Sequence, residues 1–351
     1  MLYERSTWRD ALTGELFRRV LLALLTLFGF AAIGGFIQTK IQHRAWDDVT
    51  DDLLPYDLRY SPDFSLMASA TLGEGVYLWN ASDKTLLNKL GDEGIATQLA
   101  FSPEYPDFAW SYQSYAFFYS RNDGRMVQTP IRAKSWIYSL AISPNQFAVV
   151  ATGSSAVELW NTVLPDSLHH IASDFGTDAA VYVLAFSDDT GLLAAGLSDG
   201  RVLTWRVDAS KPSQEFKTEQ IFARSVYSDA AQQLVFSPDK QTLAVGQDAS
   251  VVLLSVSDGA KLREFQIPGY IYRFAFSPDS KLLVVAHANT NLRPSSTRAP
   301  SAMSAWRTDT GERVWTSEQL PSPIADLRVS QDNKTITAGH YDGEVRTYKM
   351  P

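Results

Sequence analysis

The chain has 351 residues, 45% of them hydrophobic and 20% charged, which is enough apolar material to bury a large core and excludes a disordered polymer. Its formal net charge is −8, and from residue 41 onward 26 basic side chains stand against 36 acidic ones, so a binder of nucleic-acid phosphates is excluded. Cysteine is absent, which removes disulfides, thiolate metal sites and a cysteine nucleophile and leaves the compartment open.

The first element in chain order is residues 20–37, VLLALLTLFGFAAIGGFI, a run without a charge. As a helix it would be about 27 Å long, close to the roughly 30 Å hydrocarbon core of a bilayer. Arg18 and Arg19 abut its start, with Arg5 and Arg9 behind them; Lys40 and Arg44 follow its end, and then Asp47, Asp48, Asp51 and Asp52. The positive-inside rule makes residues 1–19 a cytoplasmic tail and places the remainder on the outer, periplasmic or extracytoplasmic side, with lipid contact through residues 20–37. A cleaved signal peptide is the competing reading. The length of the run and the lack of a small-x-small site after it favour an uncleaved single-pass anchor.

Beyond residue 50 the sequence repeats. Seven apolar runs each close on a serine: Ser61, Ser102, Ser143, Ser187, Ser237, Ser277 and Ser330. The three residues before each are LRY, LAF, LAI, LAF, LVF, FAF and LRV, and Pro follows the serine in five copies, as suits a tight turn after a strand covered on both sides. A second strand comes next, in such forms as LMASAT, LLAAGL and LLVVAH. A third carries an aromatic seventeen or eighteen residues after most of the serines: Trp79, Tyr119, Trp160, Trp205 and Tyr348. Leu254 takes that place in the fifth copy and Trp306, after an insertion, in the sixth. Asp199-Gly200 and Asp342-Gly343 sit between second and third strands, where a hairpin turn needs a left-handed backbone.

Spacings of 40 to 53 residues with four short strands per unit match propeller blades. The stretches LAFSDDTGLLAAGLSDGRVLTW and FAFSPDSKLLVVAH resemble the WD40 repeat family over about residues 54–350. The Gly-His that precedes the family's first strand is missing, and Asn80, Asn161 and Arg206 replace the Asp that closes its Trp-Asp pair. The expected architecture is all-β: a seven-bladed WD40-like β-propeller over residues 41–351, preceded by one N-terminal transmembrane α-helix. The last copy ends at its third strand, so the resemblance implies that a segment from the N-terminal side, residues 41–49, supplies the closing strand of the last blade and covers its edge.

Catalytic patterns are missing. The five histidines make no HExxH motif or metal-ligand spacing, no G-x-S-x-G elbow occurs, and the acidic residues fall mostly in turns. No cofactor or metal is expected. His287 and His340 occupy equivalent positions ten residues after their serines, and a structural role outweighs a two-histidine metal site. Directly after His287 comes a polar insertion, residues 288–302, bearing Arg293 and Arg298; it is either an acceptor for an acidic partner or a solvated loop. Tyr56, Tyr138, Tyr182 and Tyr272 recur five residues before the serine, where tyrosine serves contact surfaces but inter-blade packing is favoured. Trp110 falls in an aromatic-rich second copy at a position that is small elsewhere, which points to core packing ahead of a partner or headgroup contact. These residues are the candidate partner-binding set. The function expected is a membrane-anchored, non-catalytic protein-protein interaction scaffold, with an accessory subunit of a membrane complex as one form of it. The alternative is a propeller enzyme or small-ligand sensor using the central channel.

Overall fold

The serines that organise the sequence each end a strand, and their hydroxyls build the turn that follows. In five copies the serine Oγ donates to the carboxylate of the Asp two residues on, at 2.5–2.8 Å. The same Oγ accepts the backbone N–H five residues on, at 2.9–3.0 Å. The carboxylate in turn accepts the N–H of the residue two beyond it, at 3.0–3.2 Å. With the side chains closing the turn this tightly, Phe64, Lys240, Ser280 and Asn333 are held left-handed, with φ of 56–61°. Ser61, Ser187, Ser237 and Ser277 are thereby buried and satisfied, which explains why the sequence repeats Ser-x-Asp where an apolar run stops.

The computed structural model describes residues 57–350 apart from 72–74, 92–95, 97, 103–106, 121–124, 128–129, 134, 144–146, 153–155, 162–167, 173–178, 190, 209–216 and 291–298. Six four-stranded antiparallel blades follow in chain order. Blade one holds β1 (Asp57–Tyr60), β2 (Leu66–Thr71), β3 (Gly75–Asn80) and β4 (Leu86–Leu90); blade two holds β5 (Gln98–Phe101), β6 (Asp107–Tyr112), β7 (Tyr115–Ser120) and β8 (Ile131–Arg132). Blade three is β9 (Ile137–Ile142), β10 (Phe147–Thr152), β11 (Ala156–Asn161) and β12 (Leu168–Ala172); blade four is β13 (Val181–Phe186), β14 (Leu192–Leu197), β15 (Arg201–Asp208) and β16 (Lys217–Ser225). Blade five contains β17 (Gln233–Phe236), β18 (Thr242–Gln247), β19 (Ser250–Ser255) and β20 (Lys261–Gln266); blade six contains β21 (Ile271–Phe276), β22 (Leu282–Ala288), β23 (Ser301–Arg307) and β24 (Arg313–Thr316). A terminal sheet of three strands, β25 (Ile324–Val329), β26 (Thr335–His340) and β27 (Val345–Lys349), completes the circle.

The first strand of each sheet packs against the first strand of the next, and β25 packs against β1, so the ring is closed. The core lies between sheets: Leu192, Ala194 and Val202 of blade four meet Leu234, Leu243 and Val245 of blade five, and the pattern repeats around the ring. The second strand of blade four, LLAAGL of β14, is wholly buried and apolar throughout, whereas the outer KLREFQ of β20 buries only Phe265. The Asp-Gly turns form as expected, with Gly200 and Gly343 both at φ 78°.

The first and terminal sheets are joined by side chains. The Tyr60 hydroxyl donates to the His340 carbonyl at 2.7 Å, and the Asp326 carboxylate accepts the Tyr60 N–H at 2.9 Å. Lys84 pairs with Glu344 at 2.5 Å across the same seam.

This architecture corrects the expected seven-bladed propeller with a transmembrane helix. Six sheets are complete four-stranded blades, and the seventh copy of the repeat makes only a three-stranded sheet among the described residues. Copy counting from serines finds the turn after the first strand and is blind to whether a fourth strand forms. The described residues contain no helix at all, and hence none long and apolar enough to cross a membrane. The segments expected to span the membrane, 20–37, and to close the ring, 41–49, lie outside the described residues, as does the tail 1–19.

Candidate interaction surface

In each sheet the serine turn lies at one end and the start of the first strand, with the connector from the preceding sheet, at the other. At this connector end several sheets share a defect in pairing. The register skips Tyr138 between Ile137 and Ser139, Tyr182 between Val181 and Val183, Tyr272 between Ile271 and Arg273, and Ala325 between Ile324 and Asp326. Each skipped residue is the extra one of a β-bulge, a device that re-aims a side chain at a sheet's rim.

Two of these tyrosines are turned into solvent. Tyr138 is 41% and Tyr182 51% exposed, and Trp136, just before β9, is 59% exposed. The Tyr138 and Tyr182 rings stack across the boundary of blades three and four, with centroids 5.7 Å apart and planes 12° from parallel. Beneath the pair the Leu184 N–H donates to the Ser139 Oγ at 3.2 Å, and the buried Ile137 and Val181 flank the bulges. The stack therefore stands on a fixed base. Tyr272 is half-buried in the equivalent position and meets Tyr270 edge-on at 6.0 Å.

The histidines behave differently. His340 is buried, its Nδ1 2.9 Å from the Ser322 carbonyl and its Nε2 2.9 Å from the Tyr348 hydroxyl. His287 is buried with its Nδ1 3.0 Å from the Ala288 carbonyl, while its Nε2 finds no partner among the described residues. Desolvation holds both below the ordinary histidine pKa, so both rings stay neutral at neutral pH. Among the described residues no group of three or more His, Cys, Asp or Glu is placed to hold a metal. Trp110 is buried and stacks on Phe117 at 4.5 Å, and its ring covers Gly91 of the preceding blade. Tyr56, Arg293 and Arg298 lie outside the described residues.

Sequence reasoning missed a charged cluster on the innermost strands. Asp57 holds Arg59 at 3.1 Å and reaches Arg273 of blade six at 3.7 Å, and Arg59 stands 4.0 Å from Asp326 of the terminal sheet. Burial alone would lower the Arg59 pKa, but Asp57 and Asp326 outweigh it and raise the value, fixing the guanidinium as a cation. The signal was available: Asp57, Arg273 and Asp326 all stand four residues before their serine, charged positions inside otherwise apolar strands. The cluster ties three sheets together. A cleft of about 440 Å³ opens elsewhere, lined by Trp315–Pro321 of the blade-six margin and by Arg346, Tyr348 and Lys349 of β27.

Residues 168–206 match the family described as WD domain, G-beta repeat. That match runs from β12, the outer strand of blade three, through the first three strands of blade four. Among curated proteins, the guanine nucleotide-exchange factor SEC12 of Rattus norvegicus is 26% identical over 52% of this chain and 44% of its own length. The small ribosomal subunit protein RACK1y of Oryza sativa subsp. japonica is 25% identical over 43% of this chain and 47% of its own. The chain thus spans less than half the length of each of these relatives. Among solved structures, the β-propeller domain of Myceliophteria thermophila Cps50 (Swd1) superposes with a TM-score of 0.62 at 15% identity, covering 85% of this chain and 97% of that one. A chain of the mitotic checkpoint complex gives 0.64 at 15% identity, covering 86% and 90%. Residues 168–206 thus carry a stretch matching the WD40 repeat, and the chain as a whole has the β-propeller fold.

Proposed function

We propose that this propeller is a non-catalytic scaffold that binds protein partners through its connector end, working as an accessory subunit of a larger assembly. The observation that carries the reading is the exposed stack of Tyr138 and Tyr182 beside Trp136. Leaving three large aromatics in water forgoes burial worth about 1.5–3 kcal/mol for a large apolar side chain, and such residues are the usual anchors of protein contacts. Bulges and the Ser139 hydrogen bond hold the rings in place, so a partner would meet a surface already ordered. The similarity to a ribosomal subunit protein and to a chain of a checkpoint complex supports the same class of role. The test is native mass spectrometry of the full-length chain purified with its partners, alongside the double variant Tyr138→Ala/Tyr182→Ala. Loss of a stoichiometric protein partner from the variant, at unchanged thermal stability, is the expected result. Equal retention by both proteins would overturn the reading.

A further inference from the structure

We infer that the Tyr138–Tyr182 stack is a docking site for an arginine side chain presented by the partner. The inference rests on the reading of this end as a protein-binding surface and names the chemistry it selects. Two phenol rings lying 12° from parallel present a flat, electron-rich plate, and both remain 41–51% exposed after stacking on one another, so their outer faces are open to a ligand. Elsewhere in the molecule such rings already carry cations: Arg132 lies over Tyr115, Arg313 over Trp306 and Lys89 over Tyr77. Among the described residues no cation lies over Tyr138, Tyr182 or Trp136. The overall charge of the chain favours a positive ligand at long range, because from residue 41 onward 36 acidic side chains stand against 26 basic ones. Between the two cationic side chains, the planar and weakly hydrated guanidinium stacks on aromatic faces, whereas the ammonium is a compact, strongly hydrated point charge. The same acidic field opposes the other molecule that stacks on exposed rings, a single-stranded nucleic acid.

The experiment uses the full-length protein and follows Trp136 fluorescence and ring resonances of labelled tyrosine. The probes are a short peptide with two arginines among Gly and Ser, its citrulline counterpart, its lysine counterpart, and a single-stranded oligonucleotide. Citrulline keeps the shape of the side chain and removes its charge. The expected result is saturable binding of the arginine peptide, weakened at least fivefold by citrulline and by lysine. Tyr182→Ala weakens it about fivefold, as the loss of an exposed cation–π contact predicts, and Tyr182→Phe leaves it within twofold. Equal binding of the citrulline peptide, preference for the oligonucleotide, or no binding of any probe overturns the inference. Partner loss in the double variant together with indifference to citrulline would leave the scaffold reading standing and remove this one. Arginine-peptide binding without any retained partner would do the reverse.

Discussion

Tyr60→Phe tests how the ring is held shut. Consecutive blades are joined by the chain, but the first and terminal sheets meet through side chains alone among the described residues, and the Tyr60 hydroxyl makes the most buried of those contacts. Removing it keeps the ring and its packing against Gly339, where a β-carbon would stand 2.4 Å from the Tyr60 ring, so no sizeable cavity forms. What changes is the 2.7 Å bond to the His340 carbonyl. Tyr60 is 3% exposed and His340 is fully buried, so water does not replace the hydroxyl, while the His340 carbonyl keeps the Gly343 N–H at 3.0 Å. The cost is therefore that of one lost hydrogen bond to an acceptor that keeps another, about 0.5–1.5 kcal/mol. In urea the unfolding midpoint should fall by that energy divided by the slope, with the slope itself unchanged. Amide exchange should rise first in β1 and the terminal sheet, because the seam opens before the blades do. An unchanged midpoint would refute the claim that this bond helps close the ring. A lower midpoint with uniform exchange would refute the claim that the seam is the weak point.

Two further outcomes follow from the packing. Gly246→Ala should cost about 1–3 kcal/mol, since the new β-carbon would sit 2.5 Å from the Phe274 ring between blades five and six; adding Phe274→Leu should recover part of the loss in the same denaturation assay. Stability should also decline as pH falls below about 6.5, because His287 and His340 have folded pKa values depressed by desolvation while the unfolded chain protonates near 6.5. Their contribution is present above 6.5 and is lost on the way down to the folded values. Urea midpoints between pH 8 and 5, compared with His287→Asn, check this, and a flat profile in both proteins would show that the histidines protonate without cost.

How much of this was legible beforehand depended on whether a feature repeats. The serine, the Asp two residues on and the apolar strand around them recur in most copies, because each blade has to make the same turn between the same two neighbours. Fold class and the alignment of strands could therefore be read from spacing. The fourth strand of each sheet could not: β8 has two residues and β16 has nine, since outer strands face water and carry no common pattern. Counting copies consequently overstated the number of complete blades.

The tyrosines show the same limit at finer grain. Four of them share one sequence position, and buried packing was the favoured reading because first strands are covered on both faces. That argument holds for a regular strand, and a bulge suspends it by adding a residue that has no partner across the ladder. Even then the outcome is local. Tyr138 and Tyr182 stand on neighbouring blades and stack on each other in solvent, whereas Tyr272 has Ala325, not an aromatic, in the matching place on the sheet that follows, and stays half-buried. An exposed aromatic plate thus needs two bulged tyrosines on adjacent blades, and among the described copies blades three and four supply them. Sequence position nominates the residues; adjacency around the ring selects the pair.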